Sequence, residues 1–389
     1  MTFQPLRPLD PAHLDAAGWG WLYREAGPAY VAPEALVVPE ADVVALEAAA
    51  NELYERSVEA AGALIEAGRL DALGLPESLH RLVQATWEDE RHWHVLGRFD
   101  LAGGLDGTPP RLLEFNADTP TLIPETALVQ WAMLRANGLD EAAQFNALFE
   151  RLAENLGRWR GKWPDLEAHL AVAYAPGAIE DRINAEVVAE AARTAGFTVA
   201  DVLPFDTLAF APDEGVFHEG EGGWTRYDFV YKFIPWEWIA WDEPALVDML
   251  EGLILKGLTA VANPPYALAL QSKALLAALW EQFPGHPHLL ETCRAPWPSP
   301  TGLAEKVLFG REGANVRLLA PSGSLVAARD GDYGLQPRIY QALAPLPQHG
   351  GHHYQAGVFY AHEACALGVR RQPHAILDDR AEFVPHVIA

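Results

Sequence analysis

The strongest constraint on this fold is a pair of predicted strands joined by a ten-residue loop. The strands cover residues 95–100 and 111–116, and Gly and Pro are frequent in the loop between them. Antiparallel pairing would bring Asp100 close to Glu114. Arg98 would point to the same face as Asp100, because side chains alternate along a strand. The segment therefore predicts a β-hairpin with one charged face.

The charged face has the chemistry of a magnesium site. Mg²⁺ prefers hard oxygen ligands and usually completes its shell with substrate phosphates. Asp100, Glu114 and Asn116 are therefore candidate ligands, and Arg98 offers a fork of donors for phosphate oxygens. The alternative is an ordinary hairpin with a charged, solvated face. The alternation of Glu, Asn and Asp along an otherwise apolar strand disfavours that alternative.

The same segment resembles the signature of the glutathionylspermidine synthetase family, whose ligase module has the ATP-grasp fold. The family pattern is Arg-x-Asp, then Glu-aromatic-Asn-Ala-Asp, then two small hydroxyl residues. This chain has Thr119 and Thr121 in the hydroxyl positions. The resemblance runs in order from about residue 80 to the C-terminus and covers the ligase module only, without the N-terminal amidase domain of bifunctional members. Five segments carry it: 98–121, 179–181, 231–237, 272–284 and 306–316.

The resemblance implies an α/β (α+β) chain with the ATP-grasp fold, in which residues 1–389 form a single ligase module. A small parallel α/β lobe, the pre-ATP-grasp lobe, is expected at about 165–265 to hold substrate. Antiparallel sheets around the nucleotide are expected at about 270–389. The strand-helix-strand alternation between residues 170 and 233 independently favours a parallel lobe.

Periodicity and turn residues predict the remaining elements. Residues 1–35 are expected to form an ordered arm on the body of the protein. Helices are predicted at 39–69, 76–89, 125–136, 140–158, 180–195 and 272–282. Strands are predicted at 170–174, 198–202, 229–233, 306–308, 316–319, 325–327, 354–360, 368–370 and 375–377.

The resemblance also implies a nucleotide site. Lys273 and Lys306 would contact the phosphates or the base, and Gly310 and Gly313 would form a flexible loop that is mobile without ligand. Glycines let backbone N–H groups approach phosphate oxygens, but an ordinary turn has the same composition. Gln355 and a strand through three further residues would line the adenine: Ala375, Ile376 and Leu377.

The remaining candidates concern the substrates. By resemblance, Arg98 would stabilise the transferring phosphoryl group, and Arg370 would reach substrate. The acidic pair Glu180 and Asp181 would face an amine, although acids at a helix start also favour the helix dipole. Glu237 is a second acid that could meet an amine. Substrate-binding candidates are Arg98, Thr119, Thr121, Glu180, Asp181, Glu237 and Arg370. Phe233 and Trp238 stand where spermidine-conjugating members keep threonines, which predicts a carboxylate less polar than glutathione.

The function implied is an ATP- and Mg²⁺-dependent carboxylate–amine ligase that forms an amide through an acyl phosphate. Two Mg²⁺ ions and ATP as co-substrate are expected, with a small-molecule carboxylate and amine as partners. Two alternatives remain open: an ATP-grasp phosphotransferase, and a nucleotide-binding protein without ligase activity.

Composition excludes other classes of function. The 28 Lys and Arg residues face 53 Asp and Glu residues, a net charge of −25. Such a charge argues against nucleic acid as a partner and favours a cationic substrate. No apolar run approaches the roughly 18 residues that span a membrane. Two cysteines imply no disulfide framework and predict a cytoplasmic protein. The oligomeric state stays open.

Overall fold

The computed structural model of the chain describes residues 1–8 and 31–389. Most of the predicted arm at 1–35 lies outside the described residues, apart from a strand at its beginning and the start of another. A π-helical turn, Glu125–Val129, precedes the third α-helix. The α-helices are α1 (Glu40–Glu66), α2 (His80–Glu88), α3 (Gln130–Ala136), α4 (Leu148–Gly161), α5 (Ile179–Thr194), α6 (Trp236–Asp242), α7 (Pro244–Leu255), α8 (Ala267–Gln271) and α9 (Ala274–Gln282).

The strands of the described residues form several sheets. They are β1 (Thr2–Pro5), β2 (Glu34–Val38), β3 (Gly97–Ala102), β4 (Arg111–Asn116), β5 (His169–Tyr174), β6 (Val199–Pro204), β7 (Leu208–Ala211), β8 (Gly215–Gly220), β9 (Gly223–Tyr227), β10 (Phe229–Lys232), β11 (Ala260–Ala262), β12 (Thr292–Cys293), β13 (Leu303–Val307), β14 (Val316–Leu319), β15 (Leu325–Arg329), β16 (Arg338–Ala342), β17 (Gln348–His349), β18 (His352–Tyr360), β19 (Ala364–Gln372), β20 (Glu382–Val384) and β21 (His386–Ile388).

A four-stranded parallel sheet has the order β11-β10-β5-β6. Its central strands are nearly continuous apolar runs, as expected where helices cover a parallel sheet. Helix α5 crosses from β5 to β6 and buries an apolar face in the same core cluster as α4. The strands and the helix predicted between residues 170 and 233 are thus confirmed. A small antiparallel sheet, β7-β8-β9, interrupts the lobe and was not predicted.

The signature hairpin belongs to a larger antiparallel sheet ordered β20-β19-β18-β3-β4. Its register places Asp100 opposite Glu114, as the sequence predicted, and Arg98 opposite Asn116. Strand β3 begins at Gly97 rather than at residue 95. The reason is local, because the amides just before Gly97 donate to the Asn263 side chain instead of to a neighbouring strand. Helix α1 packs on this sheet through a continuous apolar core.

One predicted helix begins later than expected, and one predicted strand was wrong. Residues 140–147 are not helical. Asp140 caps a turn there, Asn146 bridges to Ala366, and the amide of Ala147 donates to Cys365, so the chain follows β19 before α4 begins. Residues 375–377 are not a strand but part of a bend. The Gln372 side chain closes this bend by donating to the carbonyl of Ile376.

A five-stranded antiparallel sheet ordered β12-β16-β13-β14-β15 faces the hairpin sheet across a cavity. Strand β13 carries Lys306, and the loop that follows it carries Gly310 and Gly313. The turn after β4 and the end of β10 supply the remaining walls. Elements distant in sequence thus meet at one site. None of the described helices is long and apolar enough to cross a membrane.

Candidate functional site

The cavity has a volume of about 680 Å³. It brings together most of the residues that the sequence singled out, from both the nucleotide and the substrate side. Those that line it are Arg98, Glu114, Asn116, Thr119, Thr121, Asp181, Lys273, Lys306, Gly310, Gly313, Gln355, Arg370, Ala375, Ile376 and Leu377. Asp100, Glu180 and Glu237 are not among its lining residues.

Asp100 lies just behind the cavity surface, 1% exposed, and fixes two arginines. Its oxygens accept from Arg98 Nε at 2.7 Å and from Arg370 Nη2 at 3.2 Å. Arg98 Nη1 donates to the Thr121 carbonyl at 2.6 Å, and Arg370 Nη2 donates to Gln355 Oε1 at 3.3 Å. The two guanidinium groups are therefore held towards the cavity by one buried carboxylate.

Glu114 pairs opposite Asp100 in the hairpin and lies close to Lys273 and Lys306. Lys273 Nζ lies 3.0 Å from Glu114 Oε2 and donates to the Gly310 carbonyl at 2.7 Å. Burial alone would raise the pKa of Glu114, but Lys273 and Lys306 outweigh it and lower that pKa, so the carboxylate is ionised at neutral pH. Glu114 keeps 27% of its side chain exposed towards the cavity.

Lys306 reaches the cavity from β13 with its ammonium group bound to neutral acceptors. Its Nζ donates to the Leu113 carbonyl at 2.9 Å and to Gln341 Oε1 at 2.8 Å. Burial lowers the pKa of Lys306 to about 8, although Glu114 opposes the shift. A lysine that is buried without a direct carboxylate partner would gain strongly from an anionic ligand.

Hydrogen bonds from buried side chains fix the turn after β4. Gln271 Oε1 accepts from the amides of Ala117 and Asp118, and Asn263 Nδ2 donates to the carbonyls of both. Asp118 accepts from Lys232 Nζ at 2.7 Å and from the Trp236 amide at 2.9 Å. The hydroxyl residues that follow this turn are consequently presented to the cavity by a rigid support.

The loop after β13 closes one side of the cavity. Gly313 has φ +70°, and a Cβ there would lie 2.6 Å from the Leu377 carbonyl oxygen, so the close approach requires glycine. Arg311, which sequence reasoning missed, points inward from this loop. Its Nη1 donates to Thr119 Oγ1 at 2.9 Å and its Nη2 to Glu237 Oε1 at 3.0 Å. A charged residue between two glycines of a candidate phosphate loop was the available signal.

The three predicted acids of the substrate side occupy different environments. Asp181 lines the cavity, and burial raises its pKa to about 6 although Arg311 opposes the shift. Glu180 is exposed at the start of α5. Glu237 is fully buried and paired with Arg311. Of the three, only Asp181 faces the cavity.

Apolar groups line much of the rest of the cavity. Phe233, Pro235 and Trp238 lie on the side of Thr119, and the run 343–346 follows β16. Sequence reasoning could not find the run 343–346, because its side chains carry no chemical signal. Gln341 also lines the cavity; its Oε1 accepts from Lys306 and its Nε2 donates to the Leu112 carbonyl.

The cavity is locally cationic in a strongly acidic protein. Its lining cations are Arg98, Lys273, Lys306, Arg311 and Arg370, and its lining carboxylates are Glu114, Asp181 and Glu312. Within residues 1–8 and 31–389, no cluster of three or more His, Cys, Asp or Glu side chains could hold a metal. The expected magnesium set has only two carboxylates, Asp100 and Glu114, and an amide oxygen from Asn116.

The fold defined above is shared with solved structures. The glutathione synthetase-like effector GSS30 from Globodera pallida, in its apo form, aligns with a TM-score of 0.55 over 91% of this chain and 89% of its own, at 11% identity. At this identity the likeness concerns the fold alone. It confirms the predicted ATP-grasp class of mixed α/β architecture.

The chain belongs to the family described as glutathionylspermidine synthase preATP-grasp, whose model matches residues 1–389. A Haemophilus influenzae protein named "Putative acid–amine ligase" is 29% identical over 356 residues, which cover 89% of this chain and 87% of that protein. The bifunctional glutathionylspermidine synthetase/amidase of Escherichia coli is 27% identical over 80% of this chain and 52% of its own length. The trypanothione synthetase of Crithidia fasciculata is 24% identical over 84% and 52%.

The chain thus spans about half the length of the last two relatives. All three relatives are named as ligases or synthetases, which is consistent with a carbon–nitrogen ligase. The family predicted from the signature segment is confirmed.

Proposed function

We propose that this protein is an ATP-dependent carboxylate–amine ligase that forms an amide through an acyl phosphate. The observation that carries the proposal is the convergence of five cationic side chains on one cavity that also holds Asp181. The net charge of −25 would repel an anionic nucleotide from other parts of the protein surface. The same cavity therefore offers a place for polyphosphate and a carboxylate for an ammonium group.

Two steps account for the chemistry. A carboxylate oxygen of the acid attacks the γ-phosphorus of ATP, the bond to ADP breaks, and an acyl phosphate forms. The amine nitrogen then attacks the acyl carbon, loses a proton, and displaces phosphate together with the oxygen that the acid supplied. Arg98 and Arg370, both fixed by Asp100, are placed to stabilise the transferring phosphoryl group.

The donors on the hairpin fit Mg²⁺ in their chemistry. Asp100, Glu114 and Asn116 supply hard oxygen atoms from neighbouring strands; Glu114 and Asn116 line the cavity, and Asp100 lies just behind its surface, where it accepts from Arg98 and Arg370. These three residues would hold the ion, which would neutralise phosphate charge when bound. The proposal of two ions rests on the family resemblance.

The nucleotide is proposed to lie between β13 and the C-terminal strands. Lys273 and Lys306 would contact its phosphates or its base, and Gly310 and Gly313 would allow close backbone approach. Gln355 and the bend 375–377 would face the adenine. The acid would lie near Thr119 and Thr121, and Asp181 together with Glu180 would attract the amine. Two free cysteines, Cys293 and Cys365, support a proposed cytoplasmic location.

A screen of acids against amines, with ADP release and mass detection of products, tests the function. ADP together with a new amide supports the ligase. ADP together with a phosphorylated acceptor would instead establish a phosphotransferase. Nucleotide binding without turnover over a broad panel would point to a protein that acts by binding alone.

A further inference from the structure

Two buried ion pairs stand side by side at the cavity. Lys232 pairs with Asp118, and their side chains are 1% and 0% exposed. Arg311 pairs with Glu237, which is 0% exposed, while Arg311 keeps 24% of its side chain exposed. Each cation also senses the carboxylate of the other pair, so the four charges form one group. We call these four residues the charge quartet.

Three members of the quartet are fixed to the framework, and one is not. Asp118 lies in the turn after β4, Lys232 ends β10, and Glu237 lies in the first turn of α6. These three carry a net charge of −1. Arg311 supplies the balancing charge from the loop after β13. Because a buried charge without a partner is costly, Glu237 favours the arrangement in which Arg311 points inward.

The contacts of Arg311 show which groups its inward orientation holds in place. Arg311 holds the Thr119 hydroxyl at 2.9 Å, and its guanidinium lies 5.5 Å from the Trp238 ring. The second oxygen of Glu237 is buried and has no hydrogen-bond partner within the part of the chain that the structure describes. Glu237 therefore acts on the cavity through Arg311 and does not face it.

We propose that Glu237 is a positioning residue that fixes Arg311 on Thr119, and with it the loop 310–314 over the cavity. It is not a ligand of the amine, the role that the sequence suggested for it. The kinetic consequences rest on the proposed ligation. The consequence for the loop does not, because it concerns the protein without substrate.

The test is Glu237→Gln, which keeps the side-chain shape and removes the charge. Glu243→Gln, at the exposed residue that directly follows the same helix, is the matched control. Hydrogen exchange of the amides at 310–314 is expected to accelerate at least about tenfold in the first variant and to stay unchanged in the control, since the variant breaks a buried pair. The KM for the acid should rise, whereas the KM for the amine should stay within about twofold. Glu237→Asp, which restores the charge, should recover part of both effects.

Two results would overturn the proposal: unchanged exchange at 310–314, or a rise confined to the KM for the amine. Should Glu237→Gln not fold, Arg311→Gln removes the other partner and must show the same acceleration; protection equal to that of the native protein would refute the idea. If the native protein turns over no acid and amine, the proposed function fails, and the exchange measurement still decides the role of Glu237.

Discussion

Asn116→Ala separates catalysis from stability more cleanly than any other change on the hairpin. The Asn116 amide nitrogen has no hydrogen-bond partner among the described residues, and the side chain is only partly buried. Its removal leaves no charge unpaired, so the free energy of unfolding should fall by no more than about 1 kcal/mol. Loss of one preorganised electrostatic contact in a site typically lowers turnover by about 10²–10³.

Asp100 provides the contrast. Asp100→Ala would also lower turnover but would leave Arg98 and Arg370 without their shared carboxylate, at a cost to stability of about 3–5 kcal/mol. The assay is ADP release with an active acid–amine pair, together with thermal unfolding of each variant. Turnover of Asn116→Ala equal to that of the native protein would refute the assignment of Asn116 to the site.

Three further predictions concern the cavity. Lys273→Ala and Lys306→Ala should each weaken ATP binding by about ten- to a hundredfold, since a hydrogen bond to a charged group contributes roughly 1.5–3 kcal/mol. Titration calorimetry measures the affinity, and Lys256→Ala, at an exposed lysine, is the control. Unchanged ATP affinity in both variants would remove Lys273 and Lys306 from the site. The KM for the amine should fall as pH rises through about 6, because an ammonium group binds the ionised form of Asp181, whose pKa is about 6. Asp181→Asn should abolish this pH dependence, and a pH dependence that persists in the variant would contradict the proposal that Asp181 binds the amine. The kcat/KM for acids with an apolar body should exceed that for glutathione by about ten- to a hundredfold, since a polar group left unpaired against Phe233 and Trp238 costs roughly 1–3 kcal/mol. If glutathione and spermidine were the best substrate pair, this prediction would be wrong.

The sequence predicted the hairpin well because its determinants are local. A Gly- and Pro-rich loop sets the reversal, and the alternation of side chains sets the face, so the opposition of Asp100 and Glu114 followed. The parallel lobe was equally predictable from short apolar strands alternating with a helix. Nothing local indicated that β18 would join β3 across some 250 residues. That pairing, together with the pairing of β18 and β19, brings Arg370 of β19 to Asp100.

The quartet shows where prediction from sequence ends. Lys232 and Glu237 are close in the chain, but Asp118 and Arg311 lie far from them, and the four residues belong to four different elements. Their types alone fit an exposed charge as well as a buried one, and only the packing decides. Glu237 was accordingly assigned to an amine, although its carboxylate faces Arg311. The strand expected at 375–377 failed for a related reason, because the Gln372 side chain closes a bend there.

Oxygen transfer from the acid tests the central claim most directly. The acid of the most active pair would be labelled with ¹⁸O in its carboxylate, and the released phosphate would be analysed by mass spectrometry. An acyl phosphate predicts one ¹⁸O atom in each phosphate, formed together with one ADP and one amide. Phosphate without the label, or label retained entirely in the acid-derived product, would contradict the mechanism.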